Sequence, residues 1–186
     1  MKKFILTAVM VMAYCLTSAQ TNVHVGYAPT TTNEATLWTD NVTVGIDYTM
    51  PIWKEINLSF GLDYTYGFDS DHDYQTHDIT IPVAVGYNFT FDDFIVRPFI
   101  GQALTYEIYG ESKWGDGTKY KFTDDDDFNP LTLDLYIGAR AAYKSFTFQY
   151  AFKYNETPKF NDEYFRETAG DPIRGYGHWI TIGYNF

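Results

Sequence analysis

The sequence predicts an all-β fold, an eight-stranded antiparallel up-and-down transmembrane β-barrel, and three observations predict it. Apolar and small polar residues alternate with period two in eight separate runs. The connections between those runs are alternately short and long. Aromatics make up 19% of the chain, with 17 Tyr and 15 Phe, yet no stretch after the first twenty residues is apolar enough for a membrane helix. That combination suits strands that show an apolar solvent only every second residue.

Residues 1–19 stand outside the barrel and read as a secretory signal. Lys2 and Lys3 form a positive start, Phe4 to Leu16 an apolar core, and Thr17-Ser18-Ala19 a small-residue cleavage site before Gln20. A membrane anchor is disfavoured because the apolar run is short and polar residues follow at once. Tyr14 is too bulky for a lipoprotein signal on Cys15. Cys15 is the only cysteine, so the mature domain, residues 20–186, must be stable without disulfides and has no thiolate metal site. Losing Lys2 and Lys3 moves the net charge from −11 to −13, which argues against nucleic acid as a partner.

The strands follow in order. The first, Thr21 to Tyr27, sets Val23, Val25 and Tyr27 against Asn22, His24 and Gly26. The second, Asn41 to Met50, sets Val42, Val44, Ile46 and Tyr48 against Thr43, Gly45 and Asp47. The third, Ile56 to Phe68, is the cleanest, with Leu58, Phe60, Leu62 and Tyr64 opposed to Ser59, Gly61 and Asp63. The fourth spans Gln75 to Phe89 and the fifth Phe94 to Tyr109. The sixth spans Leu131 to Tyr143, the seventh Phe146 to Asn155, and the eighth begins near Ile173. That last strand closes the sheet and ends on His178, Ile180, Ile182, Tyr184 and Phe186 along one face. Pro82 and Pro98 lie inside strands and each lacks a ladder donor, so a bulge is expected at each.

Pro51 to Glu55, Thr90 to Asp93 and Lys144-Ser145 are the short connections. Ala28 to Asp40, Asp69 to Tyr74, Gly110 to Pro130 and Glu156 to Pro172 are the long ones. All tight turns therefore share one end with both termini, an asymmetry of outer-membrane barrels. Even strand number, one-ended turns and the terminal phenylalanine agree with one another.

Alternation alone does not say which face points inward. In a soluble lipocalin-like barrel the apolar face would line a ligand calyx. The polar face here is built mostly of Gly, Ala, Thr, Ser and Asn, whereas a solvated surface carries many Lys and Glu. Turned inward, the aromatic face would also overfill an eight-stranded interior. The polar face is therefore expected inside, carrying His24, Asp47, Asp63, Asp78, Arg97, Glu107, Asp134, Arg140, Gln149 and Lys153. Buried charges must pair. Counted from the turn end, the residues predict an Asp47–Arg97–Arg140 cluster and an Asp63–Lys153 contact, a lumen plugged or at most narrowly wet.

The chain resembles the small outer-membrane β-barrels of Gram-negative bacteria, the porin-family or outer membrane protein beta-barrel domain. The stretches that carry the resemblance are Asp78 to Phe89, Arg97 to Gly101, Tyr136 to Ala142 and Gly183 to Phe186. These motifs are architectural and bring no catalytic set. The resemblance implies an outer-membrane protein with a structural, narrow-channel or loop-binding role, without catalysis or cofactor. It implies outer-membrane lipid as surroundings, a monomer, and delivery to the barrel-assembly machinery through Tyr184 and Phe186.

Two further chemistries were weighed against the residues. A lipid-modifying enzyme would need His beside Ser or Asp at the outer rim. His72 and His77 near Ser70, Asp71 and Asp73 are candidates, as is His178, but no motif supports them. Asp69 to Asp73 fails as a calcium loop because Tyr74 and Thr80 stand where Gly and Glu belong. In the longest loop, Asp124, Asp125, Asp126 and Asp127 read as a solvated charge run. With Trp114, Tyr120, Phe122 and Phe128 they are the candidate external binding surface.

Overall fold

A computed structural model of the chain describes residues 20–32, 38–69, 74–113, 117–124, 128–157 and 175–186. The expected signal segment lies outside these residues, as do Ser70, Asp71, His72, Asp73, Trp114, Asp125, Asp126 and Asp127. The strands are β1 (Gln20–Tyr27), β2 (Thr30–Thr32), β3 (Trp38–Trp53), β4 (Ile56–Asp69), β5 (Tyr74–Tyr87), β6 (Phe89–Phe91), β7 (Phe94–Lys113), β8 (Lys119–Tyr120), β9 (Leu131–Tyr143), β10 (Phe146–Asn155) and β11 (Gly175–Asn185). β2 continues β1, and β6 continues β5, so the wall has eight staves, each antiparallel to its neighbours. β1 pairs both β3 and β11, which closes the sheet on itself. Closure leaves no free edge along the wall.

Neighbouring residues reveal which face is inside. Tyr136 is 4% exposed and Ile137 beside it 56%. Most Val, Ile, Leu, Phe and Tyr of the staves are exposed on the outer face, while the alternating Thr, Asn and charged residues, with Phe99, Tyr136 and Trp179, are buried inside. An aromatic-lined soluble calyx is thereby ruled out.

Each short connection tightens to two residues, Lys54-Glu55, Asp92-Asp93 and Lys144-Ser145. The first residue of each is left-handed, with φ of 49°, 50° and 53°. The second stave is longer than expected because β3 keeps pairing with β4 through Pro51 to Trp53, across a register shift.

The prolines correct an expectation. Register is unbroken past Pro82, from Phe60↔Val83 to Asp63↔Thr80 in β4–β5 and through Pro82↔Ala103 in β5–β7. Pro98 likewise sits in constant register with Ala139. Instead of a bulge, each proline lies at a gap in the ladder. The pairs between Phe60 and Asp63 are missing opposite Pro82, and the β5–β6 break at Asn88 stands beside Pro98. Omitting bonds costs less here than shifting register, because a one-residue slip would turn the lumen face outward. The bulge of β7 falls instead at Ile108, between Asp78↔Glu107 and His77↔Tyr109. It reverses parity, so Tyr109, Glu111 and Lys113 continue the outward face.

Side chains stitch the other breaks. Where β1 gives way to β2, the Asn41 amide donates to the Ala28 carbonyl (2.6 Å) and to Thr30 Oγ1 (3.1 Å). At the turn end, Asn22 Nδ2 donates to Thr147 Oγ1 (3.0 Å) and Asn185 Oδ1 (2.9 Å). The Phe186 N–H donates to the Thr21 carbonyl (2.9 Å), which holds the C-terminus against the first strand.

Candidate functional site

Among the described residues, the lumen is where the fold brings many ionisable groups together out of water. β3 and β9 face each other across it, and Arg140 grips Asp47 with two parallel bonds, Nη1 to Oδ1 (2.8 Å) and Nη2 to Oδ2 (2.9 Å). The same guanidinium donates to Gln149 Oε1 through Nε (2.9 Å) and Nη2 (2.7 Å). Such a two-pronged pair is directional as well as strong. On its other side, Asp47 meets His24, with Nδ1 to Oδ2 at 3.3 Å. The opposite ring nitrogen, Nε2, is 3.1 Å from Asp63 Oδ1. The His24 ring of β1 thus stands between a carboxylate of β3 and one of β4.

Arg97 lies beside this group without bonding Asp47. Its Nη1 donates to Thr49 Oγ1 (3.0 Å) and its Nε to Asn88 Oδ1 (2.6 Å). The expected Asp63–Lys153 contact is replaced by two others. Lys153 Nζ reaches Asp134 Oδ2 at 2.7 Å, and Asp63 belongs to His24. The reason is register: Lys153 is opposite Tyr136, and Asp134 lies two residues along the same face of that adjacent strand, whereas Asp63 lies across the barrel. Asp134 also accepts from Thr105 Oγ1 (2.9 Å) and Asn155 Nδ2 (2.8 Å). Asp78 and Glu107 are buried cross-strand neighbours.

Between these polar layers lies an aromatic one that charge-counting did not find. Phe99, Tyr136 and Trp179 meet edge to face, with ring centroids 5.6 Å and 5.7 Å apart. Each is buried, and Ala84, Ala103 and Ala151 complete the cluster. Parity places all three rings on the inward face, Phe99 two residues from Arg97, Tyr136 two from Asp134, and Trp179 between Gly177 and Thr181. What remains empty beside them is a cavity of about 30 Å³, lined in part by His24, Asp63, Arg97 and Tyr136. That holds about two waters.

Of the candidate loop-binding residues, Tyr120, Asp124 and Phe128 have described side chains. Tyr120 is exposed, and Asp124 accepts from Lys121 Nζ at 2.7 Å in a solvent-facing pair. Phe128 is buried at 6% exposure and offers no surface to a partner. Among the described residues no group of three or more His, Cys, Asp or Glu is placed to hold a metal ion. The outward histidines meet tyrosine: His77 Nδ1 is 2.5 Å from Tyr64 Oη, and His178 Nδ1 is 2.8 Å from Tyr150 Oη.

No protein-family model matches the chain, and no curated protein matches its sequence. Among solved structures it is similar to Neisserial surface protein A, at 14% identity over 91% of this chain and 97% of that one, with a TM-score of 0.53. It is similar also to the outer membrane enzyme PagL, at 14% identity over 85% of this chain and 97% of that one, again with a TM-score of 0.53. The fold is therefore that of the small eight-stranded outer-membrane barrels. Because that fold accommodates an enzyme, catalysis is a question for the residues of this chain.

Proposed function

We propose that the chain is a monomeric bacterial outer-membrane barrel with a sealed lumen and no catalytic activity, a membrane anchor that presents its long loops outside the cell. The filled lumen carries this reading. A layer of three packed aromatics and a layer of paired charges occupy the lumen and leave small cavities beside them, which supports a barrel that passes no hydrated solute. Strand length and exposed apolar belt suit a bilayer, since β4 and β5 have 14 residues each and a tilted spanning strand needs about 9–11. Removal of residues 1–19 and hand-over to the assembly machinery through Tyr184 and Phe186 belong to the same reading; both residues are exposed beside the closing seam.

Two measurements test it. In detergent, the unheated mature chain should run faster on a gel than the boiled chain. In a planar bilayer it should carry no discrete current. A chain that stays soluble without detergent and shows no gel shift would sink the membrane assignment; steady conductance would sink the seal.

A lipid-modifying enzyme is the second reading, favoured by the likeness to PagL. Against it, the described outward histidines are held by tyrosine hydroxyls and not by Ser or Asp. Incubation with lipid A should leave the lipid unchanged on a thin-layer plate.

A further inference from the structure

Two strands on opposite sides of the barrel carry the same five-residue pattern in the same place. β5 reads His77-Asp-Ile-Thr-Ile81 and β11 reads His178-Trp-Ile-Thr-Ile182. Each histidine is the fourth residue of its strand, counted from the long-loop end. Four steps around the sheet separate β11 from β5, through β10, β9 and β7, so in a wall of eight staves the two sites are antipodal.

On the β4 and β10 side the surroundings repeat as well, although His77 also meets Tyr109 edge-on, a contact that His178 does not share among the described residues. Directly opposite each histidine is an aromatic, Tyr66 for His77 and Phe152 for His178. Diagonal to each, one step nearer the middle of the wall, is a tyrosine whose hydroxyl meets Nδ1, Tyr64 at 2.5 Å and Tyr150 at 2.8 Å. Where the phenol is the donor in this contact, the ring proton sits on Nε2. Among the described residues Nε2 has no hydrogen-bond partner at either site. His24 is different, since both of its ring nitrogens are engaged in the lumen.

Depth is fixed by the outward series. On β5 it runs Gln75, His77, Ile79, Ile81, Val83, Val85; on β11 it runs Tyr176, His178, Ile180, Ile182. Each histidine is thus the first polar residue beyond the aliphatic belt on the long-loop side. That is the level of lipid headgroups. An N–H set there by a tyrosine, on an otherwise apolar wall, meets no soluble protein group. The chemistry it meets is the acceptor oxygens of a headgroup, of which phosphate is the strongest.

We infer that His77 and His178 form two equivalent binding sites for phosphorylated outer-leaflet lipid, each donating Nε2–H to a headgroup phosphate while Tyr64 or Tyr150 holds the ring. The inference rests on the membrane reading above and on the long loops facing outward. It assigns one lipid to each side of the barrel, hence two per chain.

The test uses the mature chain labelled with ¹⁵N-histidine in phosphatidylcholine nanodiscs, probed with lipid A, dephosphorylated lipid A and inorganic phosphate. Lipid A should move the ring-nitrogen signals of His77 and His178 and leave that of His24 in place. Native mass spectrometry should find two lipid A molecules retained. The double variant His77→Phe/His178→Phe keeps an aromatic at the interface but removes the donor, and should weaken lipid A retention about tenfold. Tyr64→Phe/Tyr150→Phe should spread each ring over both tautomers. Equal retention by the double phenylalanine variant, or equal shifts with dephosphorylated lipid A or inorganic phosphate, would overturn the inference and leave the histidines as interface aromatics only. The unlabelled gel shift separates the two levels of failure. A folded barrel with silent rings defeats this inference alone, and a chain that forms no heat-modifiable barrel defeats the membrane reading with it. The wild-type ring signals decide the matter even if a variant does not fold.

Discussion

Gly45 has no Cβ, and the space is taken by the Asp63 carboxylate and the edge of His24. A methyl group built there would lie 1.8 Å from Asp63 Oδ1 and 2.9 Å from His24 Nε2. The ion-pair layer is thus as dependent on a missing side chain as on the charged ones. Its strongest member is testable. Arg140→Met removes both bonds to Asp47 and leaves that buried carboxylate with His24 alone among its described ion-pair partners, at a cost of about 3 kcal/mol. The double variant Asp47→Asn/Arg140→Met should recover much of that loss, and urea titration of the gel-shift fraction measures both. At the other extreme of exposure, Lys54 and Lys144 adopt φ near 50° without being glycine. Lys54→Gly and Lys144→Gly should each raise stability by about 1 kcal/mol. Asp92→Gly should gain less, because aspartate tolerates that backbone region. Equal gains at all three turns would count against left-handed strain as the cause.

At the scale of elements, β7 is the stave that outgrows the wall. Beyond the Ile108 bulge it extends to Lys113 and pairs with β8 through Ser112↔Tyr120 and Lys113↔Lys119. Glu111 ties this extension together, accepting from Lys119 Nζ (2.7 Å) and Tyr109 Oη (2.8 Å). Those bonds hold its carboxyl below the ordinary carboxylate range, with Lys119 the larger cause. A depressed folded pKa means the contribution is present above the unfolded value near 4.5 and is lost as pH falls through the lower folded one. Amide exchange at Lys119 and Tyr120 should therefore speed up, relative to β9, as pH drops from 5 toward 3; no relative change would discount the contact. Strand existence and boundaries were legible because period two, turn residues and loop lengths all act locally. The prolines were not, because bulge and ladder gap satisfy the same local rule and only the cost of slipping a closed sheet chooses between them. The length of β3 was hidden by Pro51, which reads as a breaker but pairs on with Asn57.

For the whole molecule, the question is what fills the barrel. Inward residues could be named from parity, and counting from the turn end paired Asp47 with Arg140, but it misplaced Arg97 and the Asp63–Lys153 contact. Contacts across a lumen depend on how far each stave is sheared against the next, and sequence distance carries no trace of that. Asp47 and Arg140 meet at a separation of 93 residues, while Lys153 turns to Asp134, its neighbour around the wall. The aromatic layer was missed for a simpler reason: buried charges draw notice on a polar face and rings do not. That layer sets the expected permeability. Trp179→Ala should cost about 3–5 kcal/mol, and in a bilayer it should give small discrete currents where the parent is silent. A silent Trp179→Ala barrel that still folds would shift the seal to the ion pairs alone.

The position of Trp179 has one more consequence, and it concerns time. β11 lies between β10 and β1 and is the last of the described strands in chain order. Phe99 and Tyr136 belong to earlier staves, so the third ring reaches them only when the seam between β1 and β11 shuts. Until then, the interior is wet and the charged side chains are solvated. Drying of the lumen and completion of the wall are in this way a single event, and an interrupted chain retains a hydrated, unsealed interior that marks it as unfinished.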